Sequence, residues 1–440
     1  MAGIRTFRLH ELGCKVNQYE AQLLREGFLA IGLAEAPEEH GADLVVVNSC
    51  SVTESGAAKS RHAVRQLGRR NPGARILVTG CYVESDREDC EALDGVVRAF
   101  GNAEKAGIVP YVARQLLGMD GELPELPRGI RSFAGHTRAF VKVQDGCRDH
   151  CAYCIIPSLR GEPRSRPMDE IAEELAALAR NGYREVVFTG VHLGYFGFER
   201  GEKGALVALL RLARATPGLE RAKLSSVEVH EIDSELVDLF AADPFFVPHF
   251  HLPLQAGSDR TLRSMRRKYG TGRFRGAVDL LRDRLVEPAL TTDLIVGFPG
   301  ESSDDFDDSL RFCEEMDFAK MHVFPFSPRS GTEASHLPGL PPAKEILRRR
   351  QAAAELDDRM STAYRRRFIG RRIEVLVEGR RMGGRLTGLS DRFQRVVLDD
   401  GDDLHNRLVE VEVLGEKDGL LEGRIPGRQA ASAPSATMAP

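Results

Sequence analysis

No run of apolar residues in this 440-residue chain approaches the roughly 18 that a membrane-spanning helix needs, and the opening MAGIRTFRLH lacks the apolar core of a signal peptide. These absences point to a cytoplasmic protein with no membrane attachment. Net charge is scarce as well. Lys and Arg number 61 against 65 Asp and Glu, a formal charge of -4, so any surface suited to a polyanion has to be local. No short-period repeat is present, which sets aside a solenoid. Cysteine is limited to eight residues: Cys14, Cys50, Cys81, Cys90, Cys147, Cys151, Cys154 and Cys313. In a reducing compartment these read as metal ligands, catalytic thiols or small buried hydrophobes rather than disulfides.

What is present is a chain too long for one compact core, patterned as an α/β protein in two or three domains. RTFRLHELGC, ADLVVVNSC and ARILVTGC are strand-like, and amphipathic helical stretches separate them. A parallel β-α-β-α-β domain is expected over residues 1–118. Each of its three strands ends at a cysteine, and ligands of open parallel sheets gather beyond the carboxyl ends of the strands.

The Gly-, Pro- and acid-rich GMDGELPELPRG then reads as a linker. Over residues 133–363, six strand-like runs from RAFVKVQDGC to KMHVFPF alternate with helical ones, the pattern of a partial (βα)6 barrel. Residues 366–428 switch to short alternating runs broken by Gly and Asp, a small antiparallel β barrel, and residues 429–440 form a low-complexity tail expected to be disordered.

The strongest local signal is GCRDHCAYC, which sets Cys147, Cys151 and Cys154 at C-x3-C-x2-C spacing directly after a strand. Thiolates are the usual ligands of iron–sulfur clusters, and three of them leave one iron of a 4Fe-4S cluster open to a small molecule. A zinc knot completed by His136 or His150 is the alternative. Tyr153 stands inside the motif. Gly190, Ser226, Glu228, Gln255 and Asp293 fall at successive later strand ends, where a cofactor bound by that iron would lie. Cys14, Cys50 and Cys81 share one kind of position, and two of the three follow glycine, so a second cluster is expected there.

Cys90 and Cys313 lie in helix-like stretches and read as buried thiols. His192, His230, His249, His251 and His322 have no ligand-like spacing and read as structural or supporting residues. Basic character concentrates in RSMRRKYGTGRFRG and between LRRR and YRRRFIGRR; the second run suits a phosphate backbone, with Tyr364, Phe368 and Phe393 available for base stacking. The acidic stretch 399–403 should face away from phosphate.

C-x3-C-x2-C after a barrel's first strand resembles the signature of the radical S-adenosylmethionine superfamily. ELGCKVNQYE, VVVNSCSVTE, VTGCY, FVKVQDGCRDHCAYCIIPSLRG, HLPLQAGSDRTLRSMRRKY and DLIVGFPGE together resemble its methylthiotransferases, which act on tRNA or on a ribosomal protein. The C-terminal barrel is similar to a TRAM domain. GCKVNQYE and HFHLPLQAGSD look most like the subgroup acting on N6-threonylcarbamoyladenosine at position 37, beside the anticodon.

The resemblance implies two 4Fe-4S clusters. One, on Cys14, Cys50 and Cys81, would hold or receive sulfur; the other, on Cys147, Cys151 and Cys154, would bind and cleave S-adenosylmethionine. The implied partners are the tRNA anticodon stem–loop and a reductant such as flavodoxin or ferredoxin, with the sulfur donor open. Isopentenyladenosine of tRNA and a ribosomal-protein aspartate are the neighbouring substrates. A non-catalytic iron–sulfur RNA-binding or redox-sensing protein is the reading from another class. An aryl carbon–hydrogen bond is too weakly acidic for a His, Glu or Lys base, so radical chemistry removes the need for a general-base constellation.

Overall fold

The computed structural model describes residues 3–399 and 404–427; the expected tail at 429–440 and all but Asp399 of the acidic stretch lie outside them. The first sheet comprises β1 (Thr6–Glu11), β2 (Ala34–Glu35), β3 (Leu44–Ser49), β4 (Arg75–Gly80) and β5 (Val96–Phe100), all parallel, in the order β2-β1-β3-β4-β5. β3 is buried at every position, as a central parallel strand covered on both faces must be, which is why LVVVNS shows no polar alternation. Two of the five strands exceed the expected three. The cysteine-bearing strands β1, β3 and β4 are adjacent, so Cys14, Cys50 and Cys81 emerge from one edge of the sheet.

The second domain places β6 (Ala139–Lys142), β9 (Glu185–Thr189), β10 (Arg221–Leu224), β11 (His249–His251), β12 (Ala289–Val296) and β13 (Lys320–Pro325) side by side; the short β7 (Gln144–Asp145) and β8 (Arg164–Ser165) pair with each other. The strands form two parallel three-stranded sheets joined by single bridges Ala222↔Phe246 and Ser226↔His251, giving the open six-stranded βα barrel expected. Its outer helices bury their apolar faces: Met168–Arg180, for example, buries Ile171, Leu175 and Leu178 at i, i+4, i+7 spacing.

A 24-residue helix, Ala343–Arg366, leads to β14 (Arg372–Met382), β15 (Arg385–Ser390), β16 (Arg395–Leu398), β17 (Leu408–Lys417) and β18 (Leu420–Arg424). These close a barrel in the order β14-β15-β16-β18-β17, in which four pairings are antiparallel and β16–β18 is parallel. This barrel caps the amino-terminal mouth of the βα barrel. Arg221, at the start of β10, pairs with Glu185 at the start of β9 and reaches Leu389 O at 3.3 Å, and Arg138 pairs with Glu378.

At this junction one expectation about RNA contact fails and another is narrowed. Tyr364 and Phe368 are buried in the core of the C-terminal barrel, 5.3 Å apart, so neither can stack on a base; Phe393 alone stays partly open. The basic run is also partly paired within the protein: Arg349 with Glu301 and Arg365 with Glu416 are buried pairs, while Arg367 with Asp317 and Arg371 with Glu287 lie at the surface.

Candidate functional site

Two of the three N-terminal cysteines, Cys14 and Cys81, follow a glycine whose backbone a side chain would not permit. Gly13 has φ +102, and a Cβ there would sit 2.9 Å from Cys50 Sγ; Gly80 has φ +99, and a Cβ would sit 2.4 Å from Ser49 O. Side-chain bonds fix the loops between these points. Ser60 Oγ accepts from Cys50 N at 3.1 Å and donates to Cys50 O at 2.8 Å, and Ser51 Oγ donates to Cys81 O at 2.8 Å. Asn17 Nδ2 donates to Leu12 O and Ser49 O, while Asn48 Nδ2 donates to Asn17 O, tying the first loop to the second. Burial pushes the Cys50 thiol up, and the neighbouring Cys81 and Cys14 sulfurs add to the shift. Gly80→Ala is expected to distort this edge without unfolding the sheet, lowering iron and sulfide from two clusters per chain toward one on anaerobic reconstitution.

The barrel trio uses the same device. Gly146, before Cys147, has φ +76 with a would-be Cβ 2.1 Å from Glu162 O, and Cys147 N donates to Gly161 O at 3.0 Å. Cys154 N donates to Cys151 O at 2.9 Å, and Ala152 N to Met265 O at 3.0 Å, curling the loop over the helix end at Met265. Burial raises the Cys151 thiol and pushes Cys154 up to about 12. Iron takes thiolate, so a cluster held here would have to displace those protons. Arg267 favours that form, because its Nη1 donates to Cys151 Sγ at 3.3 Å while its Nη2 pairs with Glu228.

His192 Nδ1 lies 3.8 Å from Cys147 Sγ and 3.1 Å from Asp149 Oδ2, with Nε2 on Glu231. Burial alone would lower its pKa, but the bonds to Asp149, Cys147 and Glu231 raise it to about 12. His192 is therefore imidazolium, a second cation beside the loop. Tyr195 and Lys268 complete the grip on Asp149.

The two trios approach each other across the domain seam. Cys81 shares a small apolar cluster with Ile155 and Leu159, the residues that follow Cys154. Asn102 Nδ2 donates to Leu159 O at 2.9 Å, and the buried Arg160 donates to Asn17 Oδ1 at 2.7 Å. Around Arg160, Glu20 and Lys105 of the first domain meet Lys142 and Asp145 of the second.

The donor sets suit clusters better than single ions. Among the described residues, the groups of three or more ligand atoms lying within 4.8 Å of one another include neither trio in full. A mononuclear ion would draw its sulfurs closer together than that spacing, whereas a cluster holds them farther apart. His136 stacks 4.5 Å from Phe133, and neither it nor His150 joins a close ligand group with a cysteine of the trio among the described residues.

The strand-end residues divide by position. Glu228 reaches the cysteine loop through Arg267, Tyr153 is partly buried against the barrel core, and a Cβ on Gly190 would meet Gln144 Oε1 at 3.0 Å. Ser226 bridges to His251, and Gln255 adopts φ +68 with its N–H on Asp293 O at 2.8 Å. Asp293 instead points into the barrel lumen, 3.3 Å from His251 Nε2. Cys90 and Cys313 are fully buried thiols. Sequence reasoning missed Arg267, Asp149 and Arg160, each a charge inside a motif already singled out for its cysteines or its basic run.

Two family models match the chain, the radical SAM superfamily over residues 141–313 and the uncharacterized protein family UPF0004 over residues 6–101. The threonylcarbamoyladenosine tRNA methylthiotransferase MtaB of Chlamydia pneumoniae is 41% identical over 89% of this chain and 91% of its own length, and that of Thermotoga maritima is 35% identical over 97% and 100%. A tRNA-2-methylthio-N(6)-dimethylallyladenosine synthase of Clavibacter michiganensis is 34% identical over 93% and 81%. In fold alone, the radical S-adenosylmethionine methyltransferase TsrM from Kitasatospora setae aligns with a TM-score of 0.55 at 14% identity, covering 75% of this chain and 77% of that one. Cysteine trios on two abutting domains, each domain matched by its own family model, and relatives similar from end to end remove the non-catalytic reading: this chain belongs to the tRNA methylthiotransferase family of radical S-adenosylmethionine enzymes, which use S-adenosylmethionine and 4Fe-4S clusters.

Proposed function

We propose that this enzyme adds a methylthio group to carbon 2 of N6-threonylcarbamoyladenosine at position 37 of tRNA, working on the anticodon stem–loop. The observation that carries the reading is the contact of Cys81 with Ile155 and Leu159, which sets the first trio against the chain that follows the second; the names of the relatives support the substrate. Residues 1–118 would ligate one cluster through Cys14, Cys50 and Cys81, residues 133–363 the other through Cys147, Cys151 and Cys154, and residues 366–428 would act as the TRAM-like cap. Bound S-adenosylmethionine supplies the 5'-deoxyadenosyl radical and the methyl group. The protein's part is to hold the thiolates: Arg267 and the His192 imidazolium place positive charge beside Cys151 and Cys147. Glu228 and Asp149 keep those two cations in position.

Gly190, Ser226, Gln255 and Tyr153 would contact S-adenosylmethionine held at the cluster, and a flavodoxin or ferredoxin would supply the electron. The test is anaerobic turnover on synthetic anticodon stem–loops carrying N6-threonylcarbamoyladenosine or isopentenyladenosine, followed by nucleoside mass spectrometry. A methylthio product from the first substrate and little from the second is expected. Conversion of isopentenyladenosine alone would move the assignment to the neighbouring activity that the Clavibacter relative is named for.

A further inference from the structure

Between the lumen of the βα barrel and the C-terminal barrel lies a pocket of about 390 Å³, lined among others by Lys15, Lys223, His249, His251, His322 and Phe393. It begins beside Cys14, through Lys15, and ends at the Phe393 ring, so it leads from the N-terminal cysteine edge into the barrel. Its chemistry is unusual for a barrel interior. β10 is buried at all four positions yet reads Arg-Ala-Lys-Leu, with both charges on one face. Arg221 is neutralised by Glu185. Lys223 is 2% exposed and has no ion-pair or hydrogen-bond partner among the described residues; its Nζ lies 3.0 Å from the centre of the Phe393 ring.

The other cations around the pocket are already engaged, Lys320 by Asp357, Arg365 by Glu416 and Arg395 by Glu378. Asp293, whose charge acts on Lys15, is shared with His251 at 3.3 Å. A second polar group is also unpartnered: His249 Nδ1 is buried without a hydrogen bond, while its Nε2 faces Thr291 Oγ1 at 3.4 Å. Burial, with Lys15, Arg138 and Arg221 nearby, holds the Lys223 amine well below its ordinary pKa, so it takes up its proton fully only when an anion joins it, and a structural role would be served by an apolar residue of the same volume. The arrangement is that of a site whose anion arrives with the substrate.

Resting on the reading of N6-threonylcarbamoyladenosine as substrate, we propose that this pocket receives the N6 substituent and that Lys223, assisted by Lys15, pairs with its threonyl carboxylate. Adenine presented between the cysteine trios would direct N6 toward the lumen. The carboxylate is the only negative charge of that arm, and His249 is placed to bond its hydroxyl or carbamoyl group. An isopentenyl arm would fill the same space and leave Lys223 unpaired. Sites built to bond a polar group reject the analogue that lacks it far more strongly than apolar pockets reject a change of size.

The test compares dissociation constants of the reconstituted enzyme for anticodon stem–loops carrying N6-threonylcarbamoyladenosine, its threonyl methyl ester, or isopentenyladenosine. Wild type is expected to bind the free acid roughly 10- to 100-fold more tightly than the ester, the range for a hydrogen bond to a charged group. Lys223→Met, close in volume, should bring the acid-to-ester ratio near one, and Lys15→Gln, on the open side of the pocket, should lower it by a smaller factor. Equal wild-type affinity for acid and ester overturns the proposal even if the Lys223 variant does not fold, as does an unchanged ratio in a folded Lys223→Met. Failure of wild type to methylthiolate the threonylcarbamoyl stem–loop would overturn the substrate reading instead, so the two failures are distinguishable.

Discussion

Cys151→Ala is expected to abolish release of 5'-deoxyadenosine, whereas Cys50→Ala is expected to retain that release in part and lose methylthio transfer. Cys151 is the sulfur that Arg267 approaches at 3.3 Å, and it is 9% exposed, so removing it leaves the Arg267–Glu228 pair facing an empty, dry position rather than a replacement ligand. Water has little access to substitute for the thiolate. Cys50 sits differently. Its backbone is clamped in both directions by Ser60, so deleting the sulfur leaves the loop intact and the barrel trio untouched. Both variants should retain about one cluster's iron and sulfide per chain, yet diverge in product. Anaerobic turnover with the reaction split into 5'-deoxyadenosine and methylthiolated nucleoside reads the difference. Undiminished activity of both kinds in both variants would show that the trios are not the ligands.

The cysteines were legible because each trio sits where local pattern alone fixes position: a strand end, a glycine and a tight loop. Gly13, Gly80 and Gly146 all precede a cysteine and all take positive φ, so the sequence rule and the backbone agree. All six barrel strands were likewise visible, since a buried parallel strand flanked by amphipathic helices has few alternative readings. β2 was not, because its two residues are both exposed and carry no apolar signal. Tyr364 and Phe368 were misjudged because an aromatic beside arginines looks the same whether it packs inward or stacks on a base; only the closure of the C-terminal barrel decides. The charged partners of the site are the least readable class. Arg267 and Glu228 are 39 residues apart, and Arg160 and Glu20 are 140 apart. Lys223 did leave a trace, a lysine alternating with arginine inside an otherwise buried strand.

The seam between the domains gives the second large effect. Glu20 is 7% exposed and is surrounded by Lys105, by Lys142 at 2.6 Å and by Arg160 at 3.1 Å, with Asp145 the only other acid in the group. Glu20→Gln keeps the shape but leaves three cations around one carboxylate. Breaking a buried pair in this way costs about 3–5 kcal/mol, so the apparent melting temperature should fall by roughly 10 °C. The sign of its pH dependence follows from the same groups. Burial raises the Glu20 pKa, but Lys105, Lys142 and Arg160 outweigh it and hold the carboxyl well below its ordinary value. In the unfolded chain a glutamate titrates near ~4.3. A carboxylate depressed by folding stabilises the protein above that value, and the contribution disappears as pH falls through the folded pKa. The gap between wild type and Glu20→Gln should therefore be full at pH 7 and narrow below about pH 4, as the wild type loses what the variant never had. Thermal melts of the two proteins across that range test this, and a gap that stays constant down to low pH would mean that Glu20 does not carry the negative charge at the domain seam.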